Sequence, residues 1–468
     1  MKIVIVGAGE IGRTVAKKLS LDPNNKHDIY LIENNEALAK SADEELDVKV
    51  ITGNGARPQV LAQAGVIQGG DVDLLIACTN RDEVNMLSCW IALNAEVKHV
   101  ISRTRSLEFT DSPYWGNKLG IKLMISPERA IAREVLGLLE VSSATYTAEL
   151  LDGRAALYAL KISENSKLVN KALKDLRTIY PDLMAVFVYV EHEDGSKGKV
   201  PNGFTTLKAN DVCYVVTYRK SADILQKVFQ PDKDKKRSLR KLFIVGGGKL
   251  GTQIAKLVRR EFGNVEMRII EKDSEKCKRL SEEFNETLIL KCDGADRNTL
   301  SEEGIESADG YICATESDEV NLICSVIAKE MGAGKTIAIV RRKDYQDLTK
   351  SIPVDVIVDP NEAMSNLLLR VIRYPEHTIA FSMIEKINAE MLEVVIPEDN
   401  ELTGRTLADI KLQEGVIVAL LGRGDDVLVP TGATRILAGD HVILVALTSL
   451  MPEAAKLFGA ELKEAAIL

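Results

Sequence analysis

Two glycine-rich turns, VGAGEIG at residues 6–12 and VGGGKLG at 245–251, carry the first chemistry this sequence offers. Each follows a short β-branched run and opens a helical stretch. Glu33 stands 21 residues after Gly12, and Glu271 stands 20 after Gly251. This is the context a nucleotide-binding turn requires. Gly7 and Gly246 permit the tight turn. Gly9 and Gly248 remove a Cβ where the backbone must approach a pyrophosphate, and Gly12 and Gly251 let helix and strand pack closely. The N–H groups opening each helix can then hold phosphate. A carboxylate ending the second strand can accept hydrogen bonds from both ribose hydroxyls and repels a 2′-phosphate. That favours NAD(H) or an adenine nucleotide over NADP(H).

Three further pairs fit such a pocket. Asn54 and Asp293 follow the third strand of each half, within reach of an adenine amino group. Thr79 and Thr315 end the fourth, near a phosphate or the second ribose. Thr79-x-x-Asp82 and Thr315-x-x-Asp318 equally resemble capping boxes, so helix capping and ligand contact both stay open. Arg103 and Arg341 end the fifth strands, as phosphate partners or as members of surface ion pairs.

The elements that position these residues are written twice. Sliding the sequence by about 239 lays Gly7, Gly9 and Gly12 on Gly246, Gly248 and Gly251. YLIENN (30–35) then meets RIIEKD (268–273), and ACTNRDEVNML (77–87) meets CATESDEVNLI (313–323). VISR (100–103) meets AIVR (338–341), and ISPERAI (125–131) meets VDPNEAM (358–364). In the first half, strands are expected at 2–6, 28–32, 48–51, 73–77, 98–102 and 122–125, with helices that include 11–20, 57–64 and 83–94. Such alternation implies βαβ units and a parallel sheet covered on both faces. A helix at 127–140 follows, then a β-rich module of different rhythm. The expected fold is α/β: two tandem Rossmann-like doubly wound domains, 1–140 and 241–373, each followed by a small α+β module, 141–229 and 374–468. The polar, basic stretch 230–240 reads as the linker between halves.

Composition narrows the function. The formal net charge is −9, so no excess of Lys and Arg is available for nucleic-acid phosphates. Seven scattered Cys and five His form no zinc spacing, and read as reduced thiols of a cytosolic protein. No run of about 18 apolar residues is present to span a membrane, and because the N-terminal residues read directly as a strand no signal peptide is expected. His27, His99 and His192 stand in no pattern with a carboxylate and read as loop or surface residues. GAGKT (332–336) lacks the full phosphate-loop spacing and precedes a strand, so it reads as a turn. No catalytic set emerges. The alternative is an NAD-dependent oxidoreductase with a duplicated Rossmann fold, which turnover of a small hydroxy or amino acid would reveal.

The glycine turn, the acid ending strand two, GNG or CDG after strand three and T-x-x-D-E-V-N at strand four together resemble the RCK (regulator of potassium conductance) domain. The run 402–445, LTGRTLADIKLQEGVIVALLGRGDDVLVPTGATRILAGDHVILV, is similar to the C-terminal RCK subdomain. Two such units in tandem resemble the TrkA family of peripheral subunits of Trk potassium-uptake systems. The resemblance implies a non-enzymatic, cytoplasmic regulatory subunit, peripheral to the inner face of the plasma membrane. It would form a homo-oligomer, a tetramer or other ring, on an integral membrane potassium transporter of the TrkH type. NAD(H), or ATP and ADP, would bind the sheet domains. The implied first-site residues are Gly7, Ala8, Gly9, Glu10, Ile11, Gly12, Glu33, Asn54, Thr79 and Arg103. Those of the second are Gly246, Gly248, Lys249, Gly251, Glu271, Asp293, Thr315 and Arg341. Some ATP-responsive RCK rings carry an Arg where this chain has Glu10 and Lys249. Glu10 therefore favours NAD(H) at the first site, and Lys249 favours a more highly phosphorylated nucleotide at the second.

Overall fold

Strand β1 (Lys2–Val6) reads KIVIV and is buried along all but its first residue. That continuity marks a parallel strand with helices on both faces. It lies at the centre of an all-parallel sheet with β2 (Asp28–Glu33), β3 (Lys49–Thr52), β4 (Leu74–Ala77), β5 (His99–Arg103) and β6 (Leu123–Ile125), ordered β3-β2-β1-β4-β5-β6. Helices α1 (Glu10–Ser20), α2 (Glu36–Glu45), α3 (Pro58–Gln63) and α4 (Asp82–Asn94) connect the strands. The order reverses between β1 and β4, the place where doubly wound sheets bind ligands. Val4, Val6, Leu61, Leu75, Ala77 and Cys89 anchor one side of the core.

The expected strands therefore form, within a residue or so of their predicted ends. The computed structural model describes residues 1–20, 27–106, 109, 113–121, 123–193, 198–231, 239–346, 351–361, 378–384 and 389–460. The predicted linker falls mainly at 232–238, outside the described residues.

The second half builds the same sheet. Strands β11 (Lys241–Val245), β12 (Glu266–Glu271), β13 (Leu288–Lys291), β14 (Gly310–Cys313), β15 (Lys335–Ile339) and β16 (Val356–Val358) take the order β13-β12-β11-β14-β15-β16. The small modules are antiparallel. β7 (Ala144–Leu150), β8 (Ala155–Lys161), β9 (Ala185–Glu191) and β10 (Val212–Tyr218) order as β7-β8-β10-β9. β17 (Thr378–Ile384), β18 (Ala389–Val395), β19 (Val416–Arg423), β20 (Asp426–Leu428) and β21 (His441–Leu447) order as β17-β18-β21-β19-β20.

The described residues divide into two compact units. One is Met1–Ala130; the other gathers Ile131–Asp359 with both small modules. Inside the second unit the two small sheets share one core. Leu157, Val188, Tyr214 and Val216 of the first pack with Met391, Leu420, Ile443 and Val445 of the second. At its edge the fully buried Glu393 accepts the Leu151 N–H at 3.0 Å and lies 2.9 Å from Nδ1 of His441. His192 likewise sits 2.9 Å from Asp211, so this histidine is paired with a carboxylate, contrary to the sequence reading.

GAGKT is the expected turn, with Gly332 at φ 96° and Lys335 opening β15. Lys335 has a structural task. Its ammonium is buried and donates to the carbonyls of Leu138, Val141 and Ala144 at 2.6, 3.2 and 2.7 Å. These acceptors lie at and just beyond the end of the helix Pro127–Glu140, where carbonyls lack helical partners and the helix dipole is negative. Arg219 pairs with Glu140, and Arg219 and Arg133 reach Glu261 at 3.1 and 2.7 Å, fastening the same helix to the second sheet domain.

Candidate nucleotide-binding sites

Each glycine turn has the geometry its spacing implies. Gly7 and Gly246 take φ 108° and 102°, and a Cβ on either would press on the backbone of Thr79 or Thr315 at 3.0 Å. A Cβ on Gly12 or Gly251 would lie 1.9 Å from the carbonyl oxygen of Gly7 or Gly246, so only glycine packs there. Gly9 and Gly248 are the reverse: a Cβ would meet nothing within 4 Å. Those two positions leave open space over the first turn of a helix, the cradle an anion uses. Ile11 is buried in the α1 core contact, whereas Glu10 and Lys249 are exposed at the helix starts.

The two acids are already oriented. Glu33 accepts the Ala8 N–H on Oε2 at 2.7 Å and the Asn35 N–H on Oε1 at 2.8 Å. Glu271 accepts the Gly247 and Asp273 N–H groups, each at 2.9 Å. A carboxylate has about four lone-pair sites, so both retain acceptor capacity for ribose hydroxyls. After β3, Asn54 accepts the Ala56 N–H at 2.9 Å and shapes its own turn. Asp293 does the same for Ala295, but also pairs with Lys272 at 2.9 Å. The Ala295 N–H and the Lys272 ammonium hold its carboxyl below the ordinary range.

Thr79 and Thr315 are not helix caps. The residues capping the following helices are Arg81 and Ser317. Each threonine is instead held by the asparagine of the D-E-V-N run. Asn85 accepts the Thr79 N–H at 2.9 Å and its hydroxyl at 2.7 Å, then donates to the carbonyls of Thr79 and Arg103 at 3.1 and 3.0 Å. Asn321 repeats the pattern on Thr315 and Ile339. Both asparagines are fully buried. Sequence reasoning missed them, although D-E-V-N at 82–85 and 318–321 was the clearest repeated tetrapeptide. The aspartates of that run serve the fifth strands: Asp82 accepts the N–H groups of Arg105 and Ser106, and Asp318 those of Arg341 and Arg342, at 2.8–2.9 Å.

These bonds correct the alignment of the arginines. Asn85 reaches the carbonyl of Arg103 where Asn321 reaches that of Ile339. In the ladders, Ala77 pairs with Ser102 and Cys313 with Ala338. By register, then, Arg341 corresponds to Arg105, and Arg103 to Ile339. The side chains nevertheless converge: Arg103 and Arg341 each bring Nη1 to the Thr79 or Thr315 carbonyl, at 3.5 and 3.4 Å. The same spot is filled from backbone positions two residues apart. Arg105 turns to Glu128 at 3.5 Å. The Nε of Arg103 is buried without a hydrogen-bond partner, and burial lowers the guanidinium pKa.

An open glycine cradle, a pre-oriented acid and an arginine near the ends of β1, β2, β4 and β5 fit an anionic nucleotide. A family model of the TrkA-N domain matches residues 3–127 and again 242–360, and one of the TrkA-C domain matches 391–459. The chain belongs to the TrkA family. It is 35% identical over 466 residues to the Trk system potassium uptake protein TrkA homolog 1 of Methanosarcina mazei, covering 98% of this chain and 100% of that one. It is 30% identical over 451 residues to the Trk system potassium uptake protein TrkA of Vibrio alginolyticus, covering 95% of each. The GsuK RCK domain has the same fold, with a TM-score of 0.62 at 18% identity over 98% of this chain and 95% of that one. The GsuK channel bound to NAD aligns with a TM-score of 0.61 at 18% identity, over 98% and 79% of the two chains. Within the TrkA family framework, both glycine turns lie inside TrkA-N matches and the second small sheet inside the TrkA-C match. Among the described residues no helix is long and apolar enough to cross a membrane, and no His, Cys, Asp and Glu group could hold a metal.

Proposed function

We propose that this chain is a nucleotide-sensing regulatory subunit that gates a membrane potassium transporter of the TrkH type, as part of a homo-oligomeric ring. One observation carries the reading most: two complete glycine cradles, each with its acid and its arginine, in a chain of the TrkA family. NAD(H) is the ligand proposed for the first site. The Gly9 cradle and the α1 start would take the pyrophosphate, Glu33 the ribose, and Arg103 the remaining phosphate charge. Glu271 and the Gly248 cradle would serve an adenine nucleotide in the second half. Relatives named for Trk potassium uptake, and a neighbour of the same fold bound to NAD, support the assignment.

A ligand changes gating only through its differential affinity for the two states of the assembly. The sites suit that task because Asn85 and Asn321 tie the threonines that pack against each glycine turn to the fifth strand, so ligand contacts can pass to the rest of the sheet. Co-purification tests the proposal. The chain should retain a multi-span potassium transporter, and NADH or ADP should alter potassium flux through the pair in liposomes. Reduction of NAD by the purified chain with a small hydroxy or amino acid would overturn the non-enzymatic reading.

A further inference from the structure

The halves repeat each other in sequence, yet the two arginines differ in what holds them. Arg341 donates to Asp318 through Nη1 at 3.2 Å, and its own backbone N–H reaches the same carboxylate at 2.9 Å. Asp318 is buried. In the first half the corresponding Asp82 accepts the backbone N–H groups of Arg105 and Ser106, one on each oxygen, and among the described residues makes no bond to an arginine side chain. Glu128 pairs with Arg105. Arg103, coming from two residues earlier, is left with a 3.5 Å contact to the Thr79 carbonyl and an unpartnered buried Nε. Among the described residues it has no ion pair. The second site is further closed on itself by Lys272 and Asp293, where the first has Asn34 and Asn54.

We propose that Arg103 makes the first site the tighter of the two for a dinucleotide, and that Asp318 weakens the second by occupying Arg341. The inference rests on reading both turns as nucleotide sites. A half-buried guanidinium with an unused Nε donor gains the whole of a charge-assisted bond to phosphate. One already bonded to a buried carboxylate must exchange partners, or share, and gains only the difference. Glu10 and Lys249 act in the opposite sense, but both are exposed, and water and salt screen their fields. Arg103 and Arg341 are half-buried and more sheltered than either, so they decide the ranking.

Because a Cβ at Gly9 or Gly248 meets no protein atom, Gly9→Val and Gly248→Val fill one cradle each and leave the other intact. The test is titration calorimetry of NADH into these two full-length variants. The Gly248→Val chain, reporting the first site, should bind about tenfold more tightly than the Gly9→Val chain, the value of one charged hydrogen bond. Adding Arg103→Gln to the Gly248→Val chain should erase that advantage, and Arg103→Lys should restore part of it. Adding Asp318→Asn to the Gly9→Val chain should strengthen binding several-fold. Should that variant unfold, since Asp318 also holds two backbone N–H groups, the Arg103 arm decides alone. Equal affinities in the two single-cradle chains, or an Arg103→Gln chain that binds as before, would overturn the inference. If the unaltered chain binds neither NADH nor ADP, the nucleotide reading itself fails instead.

Discussion

Gly9 and Gly12 stand three residues apart in one motif and do opposite things. Gly12 touches the Gly7 carbonyl so closely that a methyl group would lie 1.9 Å from it, whereas Gly9 faces open space. Gly12→Ala should therefore destabilise the first sheet domain by roughly 3 kcal/mol or more, in the range of severe overpacking. Gly9→Ala should leave the denaturation midpoint unchanged and weaken NADH binding, as paired urea melts and calorimetry would separate. Asn85 is the other decisive residue. Its removal strands the Thr79 N–H and takes the shortest side-chain donor from the Thr79 and Arg103 carbonyls, so Asn85→Ala should lower stability by roughly 3 kcal/mol in urea melts. Cys78 adds a pH signature. Burial pushes its thiol from 9.0 up to about 12. The folded state thus keeps the proton that the unfolded chain releases. The stability from this thiol is complete below pH of about 9 and drains away toward pH 12. Cys78→Ala should flatten that part of the pH–stability curve.

Elements were the most legible level, because βαβ alternation has a local signal: β-branched runs punctuated by glycine. The sites were legible to the extent that backbone geometry dictates residue type. Glycine at the turn and an acid at the end of the second strand follow from steric and hydrogen-bond demands. The threonine and arginine roles were not legible for a physical reason. Asn85 and Asn321 lie six residues beyond the threonines they hold, on the buried side of a helix, and no local pattern announces such a bond. The arginine register was hidden because side chains two positions apart reach one carbonyl, so matching residue types masked a two-residue shift. Lys335 was read only as part of a turn, since the helix end it caps lies about 190 residues earlier. The buried ammonium satisfies three carbonyls at that end. Lys335→Met would remove this donor from all three in an apolar setting, with the Val141 carbonyl keeping the Ala144 N–H, and should lower the stability of the second unit by about 2–3 kcal/mol. Thermal melts would register this as an earlier transition, with no change in NADH affinity at the first site.

At the scale of the whole chain, the pairing of the small modules depends on strands that ignore alternation. β8 reads AALYALK and β18 reads AEMLEVV, each buried along its first six residues. A half-exposed antiparallel strand alternates apolar with polar, so continuous burial means that both faces are covered. One cover is the module's own: Phe229 of the helix Ala222–Phe229 stacks on Phe187 at 5.9 Å. The other is the sheet of the second half, through Leu157, Tyr214 and Val216 against Leu420, Ile443 and Val445. Duplication thus places inside one chain a contact that two separate copies would otherwise have to make. A chain ending at Asp359 keeps both glycine turns but loses that cover. Its first small sheet would present a contiguous apolar face larger than soluble monomers tolerate. Light scattering should find the shortened chain self-associated at concentrations where a variant with charges at the exposed face, Leu157→Glu with Val216→Lys, stays dispersed. The same two substitutions in the full chain should unfold the second unit, because they would bury two charges in the shared core. A shortened chain that remained monomeric without them would mean that the first small module covers its own face.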